Sequence, residues 1–116
     1  MRNNSWFSAK LRAVCLIEDQ GSTLAMDSVF VFRSKSFTEA FERALGLGKK
    51  AEKEYLNNDG KRVCWRLKEI VSLDIVQSHE LDGAEVFSDF SDLDSDEKVP
   101  FAYQFRPEDS RPAQNL

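Results

Sequence analysis

The chain predicts an α+β fold: a mainly antiparallel sheet of four to five strands with one long helix packed on one face, in the order β-β-α-β-β. Three features carry this expectation. Residues 6–17 alternate apolar and polar side chains with the two-residue period of a half-buried strand. Residues 61–69 do the same. Between them, a capped stretch from Ser36 to Asn57 repeats its apolar residues at helical spacing.

In the first strand, Phe7, Ala9, Leu11, Ala13, Cys15 and Ile17 make one apolar row. Ser8, Lys10 and Arg12 line the other side, which turns apolar at Val14 and Leu16. The polar cluster Glu18 to Thr23, built around Gly21, is a turn signal. Leu24 to Arg33 then reads as the returning strand of a hairpin, because so short a connection favours antiparallel neighbours. Its rows are Leu24, Met26, Phe30 and Phe32 on one side, and Asp27, Val29, Val31 and Arg33 on the other.

Ser36-Phe37-Thr38-Glu39 is a capping-box pattern at a helix start. The expected buried stripe is Phe37, Phe41, Ala44, Leu45, Gly48, Ala51 and Tyr55, with Glu39–Arg43 and Lys50–Glu54 as ion pairs on the wet side. Gly46 and Gly48 are disfavoured in a helix interior, so they imply a close approach to the sheet or a break. Asn57-Asn58-Asp59-Gly60 reads as the stop. In the next strand Val63, Trp65 and Leu67 face the helix, while Arg62, Arg66 and Lys68 face away. Parity is muddled near Ser72, as a bulge would make it. Ala84–Phe90 reads equally as short strand or loop, Val99–Phe105 as an edge strand, and 106–116 as a disordered tail. The division is thus a single domain over 1–90, followed by an acidic loop, edge strand and tail over 91–116.

Several residues also carry a resemblance. The opening Trp6-Phe7-Ser8-Ala9-Lys10-Leu11, the helix after Phe30-Val31-Phe32, Trp65 in a strand after Asn-rich turn residues, and Asp82-Gly83-Ala84-Glu85-Val86-Phe87 resemble a family of small bacterial proteins, the domain of unknown function 4288. The resemblance spans roughly residues 6–90 and implies one strand-helix-strand domain. These are packing motifs, and the family has no established activity from which catalytic residues could be carried over.

Bulk properties narrow the function classes. With 116 residues there is room for one core, and 41% hydrophobic and 31% charged residues are ordinary for a globular protein. No apolar run reaches the roughly 20 residues of a membrane span, and the N-terminus lacks a signal-peptide pattern, so the expected location is cytoplasmic with no membrane partner. Cys15 and Cys64 fall on opposite faces, which argues for two free thiols rather than a disulfide.

No catalytic, metal or cofactor site is expected. Gly48-Lys49 lacks the glycine and the Ser or Thr of a phosphate loop. Asp92-x-Asp94-x-Asp96 lacks the glycine and bidentate glutamate of a calcium loop. His79, the one histidine, has no nucleophile pattern near it.

Charge is unevenly spread. The net −4 combines 13 basic and 10 acidic residues over 1–79 with 3 basic and 10 acidic residues over 80–116. Lys10, Arg12, Arg33, Arg62, Arg66 and Lys68 fall on one sheet face and form the candidate interaction surface. The acidic segment could lie over it, with Phe87, Phe90, Phe101 and Phe105 covering Val14, Leu16, Val29 and Val31. The sequence therefore reads as a non-enzymatic interaction or accessory module, its partner an unknown protein or a second copy joined through that face or through Val99–Phe105. Nucleic-acid binding by the basic face is the alternative, opposed by a pI near 5.0.

Overall fold

The computed structural model describes residues 4–22 and 24–110. Its elements are β1 (Ser5–Ile17), β2 (Leu24–Ser34), α1 (Phe37–Lys50), β3 (Lys53–Leu56) and β4 (Arg62–Ile75), with a single 3₁₀ turn at Pro107–Asp109. The four strands form one antiparallel sheet in the order β2-β1-β4-β3. The α+β class and the β-β-α-β-β order follow the expectation.

Strand parity sets the two faces. Phe7, Ala9, Leu11 and Cys15 of β1 are buried, and Phe7, Ala9 and Leu11 cluster with Phe32, Ala40 and Ala44 beneath the helix. Cross-strand pairing puts Trp65 beside Cys15 and Arg66 beside Val14, so the aromatic lies on the helix side and the guanidinium on the outer side. Cys15 and Cys64 therefore point to opposite faces, and both are free and buried. β4 slips register twice against β1, between Lys10 and Leu11 and between Arg12 and Ala13, leaving Val71 and Lys68 without partners. Two single-residue bulges restore the original parity, which is why alternation blurs near Ser72 and then resumes.

The helix is shorter than expected and is rotated. It ends at Lys50, not Asn57. Lys53–Leu56 instead pairs with Arg62–Trp65, so the Asn57–Gly60 signal is a hairpin turn and not a helix stop. That turn is held by Asn57, whose Oδ1 accepts from the Asp59 and Lys61 amides at 2.9 and 3.0 Å. Gly60 supplies the left-handed backbone, with φ of 77°. Pairing with β4 satisfies β3 backbone groups that one more helical turn would have left at a frayed end.

The helix face turned to the sheet is Ala40, Ala44, Leu47 and Gly48. Phe37 and Phe41, expected in the core, are 60% and 41% exposed, and Tyr55 also stands at the surface. Small side chains let the backbone approach closely. A Cβ on Gly48 would sit 2.8 Å from Leu67 Cδ2, whereas one on Gly46 would meet nothing. Of the two readings of this glycine pair, close approach holds at Gly48 and the helix is unbroken.

The capping box is realised with a variation. Ser36 Oγ accepts from the Glu39 amide at 3.1 Å. Glu39 reaches back past the cap to the Lys35 amide and the buried Ser34 hydroxyl, at 2.9 and 2.8 Å. Those bonds hold its carboxyl below the ordinary range, the Lys35 amide contributing most. Arg43 does not pair with Glu39; it donates to the Arg33 carbonyl at 2.8 Å. Glu54 pairs with Arg62 rather than Lys50.

After β4 the chain crosses back as an irregular strap. The Val76 amide donates to the Trp6 carbonyl at 2.8 Å, and Val76 is buried. Ala84–Phe90 is loop, and Val99–Phe105 is not a strand within the chain. Beyond Asp89 the chain leaves the sheet, with Phe90 and Phe101 fully exposed. The Cα radius of gyration is accordingly 18.9 Å, against about 13 Å for a compact chain of this length. The expectation for 111–116 lies outside the described residues.

Candidate functional site

The two sheet faces offer different surfaces. On the helix side the core is filled under α1 but not beyond its C-terminus. Ala13 stands between Met26 and Leu67 in the central strand, and Ser28 stands opposite Leu11. These small side chains, with Gly48 above, leave a hollow of about 540 Å³. Leu11, Ala13, Met26 and Phe30 floor it, and Ala51, Glu52, Lys53, Tyr55 and Trp65 wall it.

The walls are fixed by hydrogen bonds. Trp65 Nε1 donates to the Tyr55 hydroxyl at 3.3 Å, bridging β3 and β4. Glu52 accepts from the Leu67 amide at 2.9 Å and lies 3.7 Å from Lys49, tying the helix end to β4. The groove is thus apolar below and polar at its rim, where Glu52, Lys53 and Arg66 stand.

Of the six cations singled out from sequence, the outer face holds five. Lys10, Arg12, Arg33, Arg62 and Arg66 fall on its row, while Lys68 occupies a bulge. They do not form a bare cationic surface. Arg12 forks onto Asp27 at 2.8 and 3.0 Å and reaches Glu69 at 3.3 Å, its direct neighbours on β2 and β4. The bond from Arg12 holds the Asp27 carboxyl below its ordinary range.

Lys10 lies 3.8 Å from Asp27 and 3.7 Å from Asp89, with its ammonium 4.9 Å above the Phe87 ring. Arg62 is 3.5 Å from Glu54. Arg33 stacks on Trp6 at 4.9 Å. Arg66 is beside Cys64, whose hydrogen bond is the main cause of its raised pKa, with Glu52 and Glu54 adding.

Among the described residues the acidic segment meets these cations at Asp89 and Phe87, both on Lys10. Phe90, Phe101 and Phe105 stay exposed, and so do Leu16, Val29 and Val31, which those rings were expected to cover. Three carboxylates of the sheet itself, Asp27, Glu54 and Glu69, do most of the neutralising that the tail was expected to do, with Asp89 adding to it at Lys10.

The groove was missed from sequence. Its signal is visible only once β3 is known: Ala13 and Ser28 are small at positions where the row calls for bulk, and Tyr55 and Trp65 meet across a hairpin. His79 lies elsewhere, at a shallow cleft beside Trp6 and Val76. Among the described residues no group of three His, Cys, Asp or Glu side chains is placed to hold a metal ion. Among the same residues no helix is long and apolar enough to cross a membrane.

Fold and site define a small α+β protein with one four-stranded antiparallel sheet, one helix and an apolar groove at the helix end. The chain belongs to the family described as Domain of unknown function (DUF4288), whose model matches residues 6–88. That match takes in the sheet, the helix and the strap as far as Phe87, and ends where the chain departs from the sheet. No curated protein and no solved structure matches the chain.

Proposed function

We propose that this protein is a non-enzymatic interaction module, and that its groove receives an apolar segment of a protein partner flanked by acidic residues. The observation that carries the reading is the hollow of about 540 Å³ with an apolar floor and the cations Lys53 and Arg66 in its lining. An apolar floor supplies affinity through burial, and the rim cations favour acidic flanks. Polar groups at the rim, rather than converging inside, support binding over catalysis. The free buried thiols are consistent with work in the reducing cytoplasm.

Nucleic-acid binding at the outer face has weaker support, because Lys10, Arg12 and Arg62 are already engaged by carboxylates. Selection of displayed random peptides on the full chain tests the reading. The enriched peptides should carry aromatic or aliphatic anchors next to Asp or Glu. They should shift Trp65 emission in a Trp6→Phe background. Ala13→Phe, which fills the hollow, should weaken them about tenfold or more. Peptides that bind the filled variant equally well would refute the groove as the site.

A further inference from the structure

We propose that the open β2 side of this groove is closed by the segment Val99–Phe105 of a second copy, added as an antiparallel strand to the edge of β2, so that two chains exchange arms. This rests on the groove being a docking site and adds the identity of what docks.

β2 is an edge strand of eleven residues, and it is apolar on both faces at its middle: Met26 and Phe30 toward the groove, Val29 and Val31 on the outer side. Such an edge is a template for another strand. Within its own chain Val99–Phe105 is drawn into a turn, the Tyr103 amide donating to the Pro100 carbonyl at 3.0 Å, which has to open for the arm to pair; its rings are left largely uncovered, Phe101 at 108% exposed and Tyr103 and Phe105 both near 60%. The segment has the two-residue period of a strand, and Pro100, lacking an N–H, is suited to an outer strand.

One antiparallel register satisfies both faces together. With Phe101 opposite Phe30, Tyr103 falls opposite Ser28 and Phe105 opposite Met26, so the aromatic row extends the groove floor. Pro100 and Ala102 then fall opposite Val31 and Val29, covering the exposed valines of the outer face. Gln104 falls opposite Asp27.

Charge selects the same direction. Antiparallel entry begins at the Ser34 end of β2: Lys98 falls opposite Arg33, and the acids just before it, Asp94, Asp96 and Glu97, offset that repulsion by arriving beside Ser34, Lys35 and the Arg43 guanidinium bound to the Arg33 carbonyl. Parallel entry would set those acids beside Glu18 and Asp19 of the β1–β2 turn. The exposed area of about two rings per arm, at about 150–250 Å² each and counted over two arms, buries about 600–1,000 Å², and the matching area of β2 brings the total into the range of stable interfaces.

Sedimentation equilibrium of the full chain tests this. The wild type should have twice the chain mass. Phe101→Asp with Phe105→Asp should be monomeric, and so should Met26→Asp, whose side chain is surface-exposed enough to leave folding intact by circular dichroism. Mixing the two monomeric variants should restore a mixed dimer, since one still offers a groove and the other an arm. A monomeric wild type overturns the proposal, as does a dimer that survives loss of both rings. If the monomer nonetheless binds acid-flanked apolar peptides and Ala13→Phe abolishes this, arm exchange falls while the groove stands. If Ala13→Phe has no effect on peptides, the groove reading is what falls.

Discussion

Alanine at Gly46 and at Gly48 should move stability in opposite directions. Both glycines lie in the interior of α1, where alanine is favoured by about 1 kcal/mol through reduced backbone entropy in the unfolded chain. At Gly46 a Cβ meets nothing within 4 Å, so the full gain of about 1 kcal/mol should appear. At Gly48 the same Cβ lies 2.8 and 2.9 Å from the two Leu67 methyls and 3.3 Å from Cγ. Carbon pairs prefer about 3.5–4.0 Å, so Leu67 has to withdraw by most of an ångström.

The Leu67 amide is pinned to Glu52, so the side chain must move without its backbone, toward the hollow. Overpacking of this kind costs about 1–3 kcal/mol, which outweighs the helical gain and leaves Gly48→Ala destabilised by about 1 kcal/mol. Urea unfolding reads both effects: with a slope of about 1–2 kcal/mol per molar, the midpoints should part by about 1–2 M. Leu67→Ala in the Gly48→Ala background removes the collision, so the pair should couple favourably by about 2 kcal/mol. Midpoints shifting the same way, or an additive double variant, would show that the helix does not approach the sheet as described.

Three further outcomes follow from the hydrogen bonds. Ser36→Ala removes the acceptor of the Glu39 amide and should lower stability by about 1 kcal/mol in the same urea assay. Glu39 has a folded-state pKa below its ordinary 4.5, so the stability it supplies is present above that value and is lost as pH falls through the lower folded value. Glu39→Gln should therefore flatten the acid limb of melting temperature against pH below about 4.5, and an unchanged limb would contradict the reach-back geometry. Asp27 has the same sign, chiefly through Arg12; Arg12→Met should raise the Asp27 carboxyl titration seen by carbon NMR, with acid sensitivity reduced over the same range below 3.8.

Legibility from sequence divided along the scale of the interactions. β1, the β1–β2 hairpin and the odd-even parity of β4 were readable because each rests on a local period and a local turn. The two bulges left a trace, the blurred parity at Ser72, though not their number. Lys53–Leu56 was misread as helix because the deciding bonds are to Arg62–Trp65, across a turn whose Asn and Gly residues serve a helix stop equally well. Five of the six cations share the outer row and Lys68 stands in a bulge, and Asp27 and Glu69 become partners of Lys10 and Arg12 only when β2, β1 and β4 lie side by side.

Alternation, capping and turn chemistry in the linear chain were enough to specify an α+β domain, the side to which each β-strand turns its apolar row, and two thiols that do not meet. These depend on backbone geometry within a few residues, which side-chain order reports directly. The tertiary structure alone decided which stripe of the helix faces inward, where the helix ends, and that Ala13, Ser28 and Gly48 combine into a hollow. Those outcomes depend on distances between segments far apart in the chain. Small side chains act there by what they allow to approach, and periodicity carries no record of that.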